Sequence, residues 1–305
     1  MALVECVPNF SEGRRPEVVE AIVAAIRAEG VYLLDTQMDH DHNRSVVTFA
    51  GEPQPVVEAA FRAIETAARL IDLDAHVGQH PRMGAADVVP FVPLRDISLE
   101  ACVELAHALG ERVAAELDLP VYYYEAAALR PERRNLADVR RGGYEALKKE
   151  LGSNPARVPD AGPSRVGQAG AVLIGARGPL IAFNAYLNTD NVEIARSIAA
   201  SIRESGGGLP RLKALGLLVG GRAQVSMNVI DFRETGLFAI MEALRREAAR
   251  HAVEITHTEL VGLIPQAALL NTALEYLQLP LEVRSHTLEN RLGEVTGDYR
   301  EVPFR

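Results

Sequence analysis

One stretch of this chain is written twice. Pro16-Glu17-Val18-Val19-Glu20-Ala21-Ile22-Val23-Ala24-Ala25-Ile26-Arg27 returns as Val192-Glu193-Ile194-Ala195-Arg196-Ser197-Ile198-Ala199-Ala200-Ser201-Ile202-Arg203, and Val88-Val89-Pro90-Phe91-Val92-Pro93 returns as Leu260-Val261-Gly262-Leu263-Ile264-Pro265. Both copies of the first pattern place apolar residues at helical spacing, and each follows a strand-like run. A repeat at this distance predicts two related halves, each with its own core. The alternative is that any two amphipathic helix-strand segments look alike. With 305 residues, 48% of them hydrophobic, the chain is long enough for two domains. The expectation is an α+β fold of two similar α/β subdomains, residues 1–176 and 180–305, each a mostly antiparallel or mixed sheet with helices on one face.

Within the first half, Leu3 to Val7 reads as a strand and Pro16 to Glu29 as a helix with proline in its first turn. Strands are expected at residues 31–34, 45–49, 87–92 and 121–124, and helices at 55–70 and 99–117. Between the halves, Gly152 to Gly178 is rich in Gly, Pro and Ser without sustained periodicity, which reads as a linker or a binding loop. Glycines at 162, 167, 170 and 175 would let backbone approach a flat ligand closely.

Net charge is −9 and Trp is absent, which argues against a nucleic-acid partner. Cys6 and Cys102 are too few for a disulfide framework or a thiolate cluster, and both sit in apolar patterns that favour buried hydrophobes. No apolar run approaches a membrane span, and Glu5, Pro8 and Asn9 interrupt any signal-like start. A cytoplasmic enzyme without membrane contact is the expectation.

Chemistry is expected at His76-Val77-Gly78-Gln79-His80-Pro81-Arg82-Met83-Gly84, two imidazoles and a guanidinium between a helix and a strand. Imidazole exchanges a proton near neutral pH, and guanidinium holds an anion in a forked geometry. The bland reading is a surface loop with Pro81 stopping a helix, but the cluster runs into an apolar strand, where clefts form. Asp39-His40-Asp41-His42-Asn43-Arg44 has metal-site residue types, yet neighbours on an extended chain point apart, so a solvated loop with one functional residue, Asn43 or Arg44, is preferred. Arg133, Arg134, Arg140 and Arg141 read as a solvated basic face, the alternative being a surface that meets a polyanionic ligand tail.

Val4-Glu5-Cys6-Val7-Pro8-Asn9-Phe10-Ser11-Glu12-Gly13 and His80-Pro81-Arg82-Met83-Gly84 resemble the formiminotransferase family. The resemblance continues through Asn43-Arg44, Gly162-Pro163-Ser164, Leu180-Ile181-Ala182-Phe183-Asn184 and Ala223-Gln224-Val225-Ser226, in order along nearly the whole chain. It implies paired α/β subdomains, a homodimer, and transfer of a formimino group from N-formimino-L-glutamate to N5 of tetrahydrofolate, in histidine degradation and one-carbon metabolism. Animal members are fused to a cyclodeaminase, which this chain is too short to include.

The family's catalytic histidine falls on His80, and its folate segment on Gly162 to Gly170, one residue shorter here. Candidate folate contacts are Gly162, Pro163, Ser164, Gly167, Gly170 and Asn184. Arg82 and Arg44 are candidates for the glutamate carboxylates, with Asn9, His76 and Asn43 as hydrogen-bonding neighbours. Tetrahydrofolate is a co-substrate, and no metal is called for. Gln37 stands where animal members carry an acid, so no assisting carboxylate is assigned. Two alternatives stay open on sequence alone: formyl transfer between glutamate and tetrahydrofolate, and a folate-binding protein without turnover.

Overall fold

A computed structural model describes residues 1–78 and 81–297. Contacts divide the chain into two units, Met1–Gly178 and Pro179–Arg305. Unit 1 begins β1 (Leu3–Cys6), β2 (Asn9–Phe10), α1 (Pro16–Ile26), β3 (Val31–Asp39), β4 (Arg44–Gly51), α2 (Pro53–Leu70) and β5 (Ala86–Arg95). β1 and β2 are two pieces of one strand lying between β4 and β5, antiparallel to both. The break falls at Pro8, which has no N–H to give to a ladder. β3 pairs with β4 on the outside.

Unit 2 repeats that order of elements: β8 (Ile181–Leu187), α6 (Val192–Ile202), β9 (Leu212–Val219), β10 (Arg222–Val229), α7 (Leu237–Arg250) and β11 (Ile255–Val261). Its sheet runs β11-β8-β10-β9, which is the order β5-β1-β4-β3 of unit 1. Both are strand-helix-strand-strand-helix-strand units of split βαβ type. The echoing helices α1 and α6 occupy the same place in the two topologies. In α1, Val18, Val19, Ile22 and Ile26 are buried; in α6, Ala195, Ile198, Ala199 and Ile202 are. Two more helices follow, α8 (Gln266–Tyr276) and α9 (Leu288–Thr296).

Unit 1 goes on to add α3 (Leu99–Leu117), β6 (Val121–Glu125), α4 (Leu136–Val139), α5 (Gly143–Glu150) and β7 (Val172–Ala176). The Gly152–Gly178 stretch is therefore more than a linker or a loop. Its last part, β7, lies between β5 and β6 and is parallel to both. Five consecutive buried residues, VLIGA, give no alternation, because parallel strands are buried on both faces. One face packs on the main core through Tyr123 and Ile174, and the other through Tyr122, Tyr124 and Leu173 on Val139 and Leu147 of α4 and α5.

Several element ends move from where the sequence put them. β3 runs to Asp39 rather than Leu34, and α1 ends at Ile26 rather than Glu29. Strand pairing with β4 carries β3 onward through polar residues that give no apolar signal.

Candidate active site

A small open pocket of about 190 Å³ lies in unit 1, counting space open to solvent. Phe10 and Ser11 reach it from the β2 end, His42, Asn43 and Arg44 from the β3–β4 hairpin, His76 and Arg82 from the α2–β5 connection, and Asp87 from β5. Four of the six residues expected to surround the amino-acid substrate or do chemistry there, Arg44, Asn43, His76 and Arg82, thus converge. Asn9 is not among the lining residues; its Nδ2 donates to Val7 O at 3.0 Å. His80 lies outside the described residues.

Asn43 holds the hairpin. It adopts φ 48°, in the left-handed region that Asn tolerates. Its Oδ1 accepts from Gly13 N at 2.9 Å, and its Nδ2 donates to Val77 O at 3.0 Å. One buried amide so ties three segments together. On the turn that it closes, Asp39 Oδ2 lies 2.6 Å from His42 Nδ1, and Asp39 Oδ1 accepts from His42 N at 2.8 Å. Burial pushes the Asp39 carboxyl up, but the hydrogen bonds from His42 outweigh it and leave the group below its ordinary value. A carboxylate only accepts, so Nδ1 of His42 carries the hydrogen. The segment is thus no plain solvated loop: the turn brings a carboxylate and a pocket-lining imidazole together at a separation of three residues.

Arg82 is the most constrained cation. Its Nε donates to His76 Nδ1 at 2.8 Å and its Nη2 to His76 O at 3.0 Å, while Glu145 of α5 receives Nη2 at 2.8 Å and Nη1 at 3.2 Å. Since guanidinium only donates, His76 Nδ1 is an acceptor and Nε2 carries the hydrogen, donating to Asn43 O at 2.9 Å. Burial lowers the His76 pKa from its ordinary value, the Arg82 charge adding to the effect. His76 is a neutral spacer that aims Arg82.

Arg44 sits deeper. Burial, with the nearby Arg140 charge, lowers its pKa to about 10, so it stays cationic at neutral pH. Asp87 accepts from Met83 N at 2.8 Å and pairs with Arg140. The pocket therefore sets Arg44 and Arg82 around one carboxylate that Arg140 already engages, an arrangement suited to an anionic guest. The basic run is not a solvated face throughout. Arg140 turns inward to Asp87 and Arg133 is buried on Asp160, while Arg134 and Arg141 remain exposed. Carboxylates 53 residues upstream and 27 downstream of those arginines make the difference, counting Asp87 to Arg140 and Arg133 to Asp160.

The glycine segment is laced to the same connection. Leu73 N donates to Gln168 O at 2.8 Å, Ala85 N to Ala169 O at 2.8 Å and Ala171 N to Met83 O at 2.9 Å. Gly170, at φ +71°, comes so close that a Cβ would stand 2.2 Å from Met83 O. Its glycine is explained by the protein's own backbone. Gly167 faces open space, with nothing within 4 Å of an added Cβ. Gly162 and Ser164 are exposed and Pro163 half-buried in the same loop, whereas Asn184 belongs to unit 2.

His42, Asp87, Arg140 and Glu145 are the residues that sequence reasoning missed. Only His42 left a signal, its position three residues after Asp39. Cys6 and Cys102 are buried as expected, and burial pushes the Cys102 thiol up to about 12 and the Cys6 thiol up as well. No group of three or more metal-ligating side chains occurs among the described residues.

Family models for the formiminotransferase domain match residues 3–177, as its N-terminal subdomain, and residues 182–289. The chain belongs to the formiminotransferase family. It is 48% identical over 302 residues to glutamate formimidoyltransferase of Thermoplasma acidophilum, covering 97% of this chain and 99% of that relative. The enzyme of the same name from Streptococcus pyogenes is 44% identical, covering 95% and 98%. A mouse formimidoyltransferase-cyclodeaminase is 45% identical over 95% of this chain but only 56% of its own length. No helix among the described residues is long and apolar enough to cross a membrane.

Proposed function

We propose that this chain is a glutamate formimidoyltransferase, moving the formimino group of N-formimino-L-glutamate to N5 of tetrahydrofolate. What carries the reading is 48% identity to a glutamate formimidoyltransferase over nearly all of both chains. The Arg44 and Arg82 pocket supports it, because the donor is a dicarboxylate.

N5 attacks the amidine carbon, forming one C–N bond and a tetrahedral centre. That centre collapses when the bond to the glutamate nitrogen breaks, and the leaving nitrogen must take a proton. His80 accepts the N5 proton and returns it to the departing nitrogen, so the histidine ends as it began. Arg82, aimed by His76 and Glu145, and Arg44 hold the two carboxylates of the donor. Fixing both substrates removes the entropy of bringing them together, which is worth more than the proton transfer itself. Asn43 keeps the hairpin that carries Arg44, and Asn9 is a neighbour of the site. Gly162, Pro163, Ser164, Gly167, Gly170 and Asn184 are the folate contacts in this reading, and residues 1–176 and 180–305 its two functional subdomains. The active form is a cytoplasmic homodimer that requires no metal.

A spectrophotometric assay with formiminoglutamate and tetrahydrofolate tests the proposal. Product formation that persists after dialysis against a chelator is the expected result. Turnover with N-formylglutamate but not with the formimino compound would overturn it.

A further inference from the structure

A guest that brings N–H groups into the unit 1 pocket meets mostly donors or groups already spent. Arg44 and Arg82 only donate, both ends of the Asn43 amide are taken by Gly13 N and Val77 O, and both nitrogens of His76 are committed to Arg82 and to Asn43 O. Asp87 is met by Met83 N and Arg140. His42 is different. Its ring, mostly buried, lines the same pocket, and its Nδ1 donates to Asp39 Oδ2 at 2.6 Å. That contact fixes the tautomer: the neutral ring carries its hydrogen on Nδ1, and Nε2 is an acceptor.

Asp39 is held as firmly as the ring it holds. Its Oδ1 accepts from His42 N at 2.8 Å, a backbone N–H that only donates, so one residue grips the carboxylate at both oxygens. The negative charge behind the imidazole strengthens Nε2 as an acceptor and favours a cation in front of it. The two one-carbon donors that the sequence leaves open differ at that point. A formimino group is an amidinium, a cation with N–H on both nitrogens, whereas the formyl group of N-formylglutamate ends in a neutral carbonyl oxygen that only accepts. Oxygen and nitrogen differ little in size, so shape does not make the choice. Hydrogen-bond polarity does, because a site built to receive an N–H rejects the analogue that lacks it, lone pair facing lone pair.

We propose that His42, held by Asp39, selects formimino over formyl, its Nε2 receiving an N–H of the terminal nitrogen of the donor while Arg44 and Arg82 hold the carboxylates. This rests on the proposed reaction and deepens it, since it names which of two near-isosteric donors the pocket takes and the residue that tells them apart. His42 touches the donor and takes no proton, a task that stays with His80.

Comparing kcat/KM for formiminoglutamate and for N-formylglutamate, each with tetrahydrofolate, tests it on the full chain. The wild type is expected to favour the formimino donor. In Asp39→Asn the amide oxygen stays on His42 N, and the amide NH2 turns to Nδ1, which moves the ring hydrogen to Nε2 and makes that atom a donor. The formimino-to-formyl ratio is then expected to fall at least about tenfold, with the KM for tetrahydrofolate unchanged. Where Asp39→Asn loosens the hairpin, His42→Gln, whose amide can turn either end to the guest, keeps the test and is expected to bring the ratio toward one. A merely structural role would lower both donors together, so an unchanged ratio in either variant would overturn the assignment. A wild type that transfers neither group to tetrahydrofolate would overturn the functional reading instead, and direct binding of the two donors to the same three chains would still read the selection.

Discussion

Units 1 and 2 share one order of strands and helices and differ in what they place around the sheet. In unit 1 the loops at one end of the strands hold a charged cluster whose members are engaged: Arg82 by His76 and Glu145, Asp87 by Arg140, His42 by Asp39. In unit 2 the notable group is the neutral amide of Gln224 on a sheet face, with neither end engaged among the described residues. Charged groups are held in place before a ligand arrives, because an unpaired buried charge costs far more than an unpaired amide. A duplicated topology therefore supplies two scaffolds that carry different polar groups, in loops in one case and on a sheet face in the other.

The largest expected effect breaks the comparison if it fails. His80→Ala should lower turnover by about 10²- to 10⁴-fold while folate binding persists. Steady-state rates with folate affinity measured alongside check this, and near-normal turnover would remove the residue from the mechanism. Next comes the anion pocket. Arg82→Ala deletes charge-assisted hydrogen bonds worth about 1.5–3 kcal/mol, so the KM for formiminoglutamate should rise about 10- to 150-fold with the KM for folate little changed. A rise shared by both substrates would place Arg82 outside a pocket specific to one.

A third prediction sharpens the role of the glycine loop. Gly170→Ala forces a left-handed L-residue against Met83 O and should destabilise unit 1 by at least about 1–2 kcal/mol. Gly167→Ala meets nothing within 4 Å, and its melting midpoint should stay near that of the wild type. Equal midpoints for the two variants would contradict the packing account.

The smallest effect concerns acid. The His76 pKa is lowered in the folded chain, so as pH falls below 6.5 an unfolded chain takes up the proton first and stability drops through that window. Protonated Nδ1 can no longer accept from Arg82, so the KM for formiminoglutamate should rise at the acid end of that window, where the folded chain itself takes up the proton. His76→Gln should flatten both trends, as followed by melting curves and KM against pH.

Periodicity made the duplicated helices α1 and α6 legible, because their buried stripes are written in single local windows. α3 was legible over its whole length, Leu99 to Leu117, although its cap, Ser98, whose hydroxyl accepts from Ala101 N at 3.2 Å, was not. β7 was not, since a short apolar run within a glycine-rich stretch has no period of its own. Of the site, Arg44, Asn43, His76 and Arg82 were legible as residue types in compact motifs. Arg140 was not, because its partner Asp87 lies 53 residues away and no local pattern marks an ion pair closed across the fold.

By itself, then, the sequence settled the two-part α/β architecture and the family and offered the residue types for the chemistry, all of which depend on patterns and motifs within short windows. Only the tertiary structure decided which charges face one another, that His76 is a neutral spacer behind Arg82, that Asp39 holds His42, and that Gln224 is buried with no hydrogen-bond partner among the described residues. Those outcomes depend on distance through space, and in a folded chain the energy of a charge or an amide is set by its neighbours there.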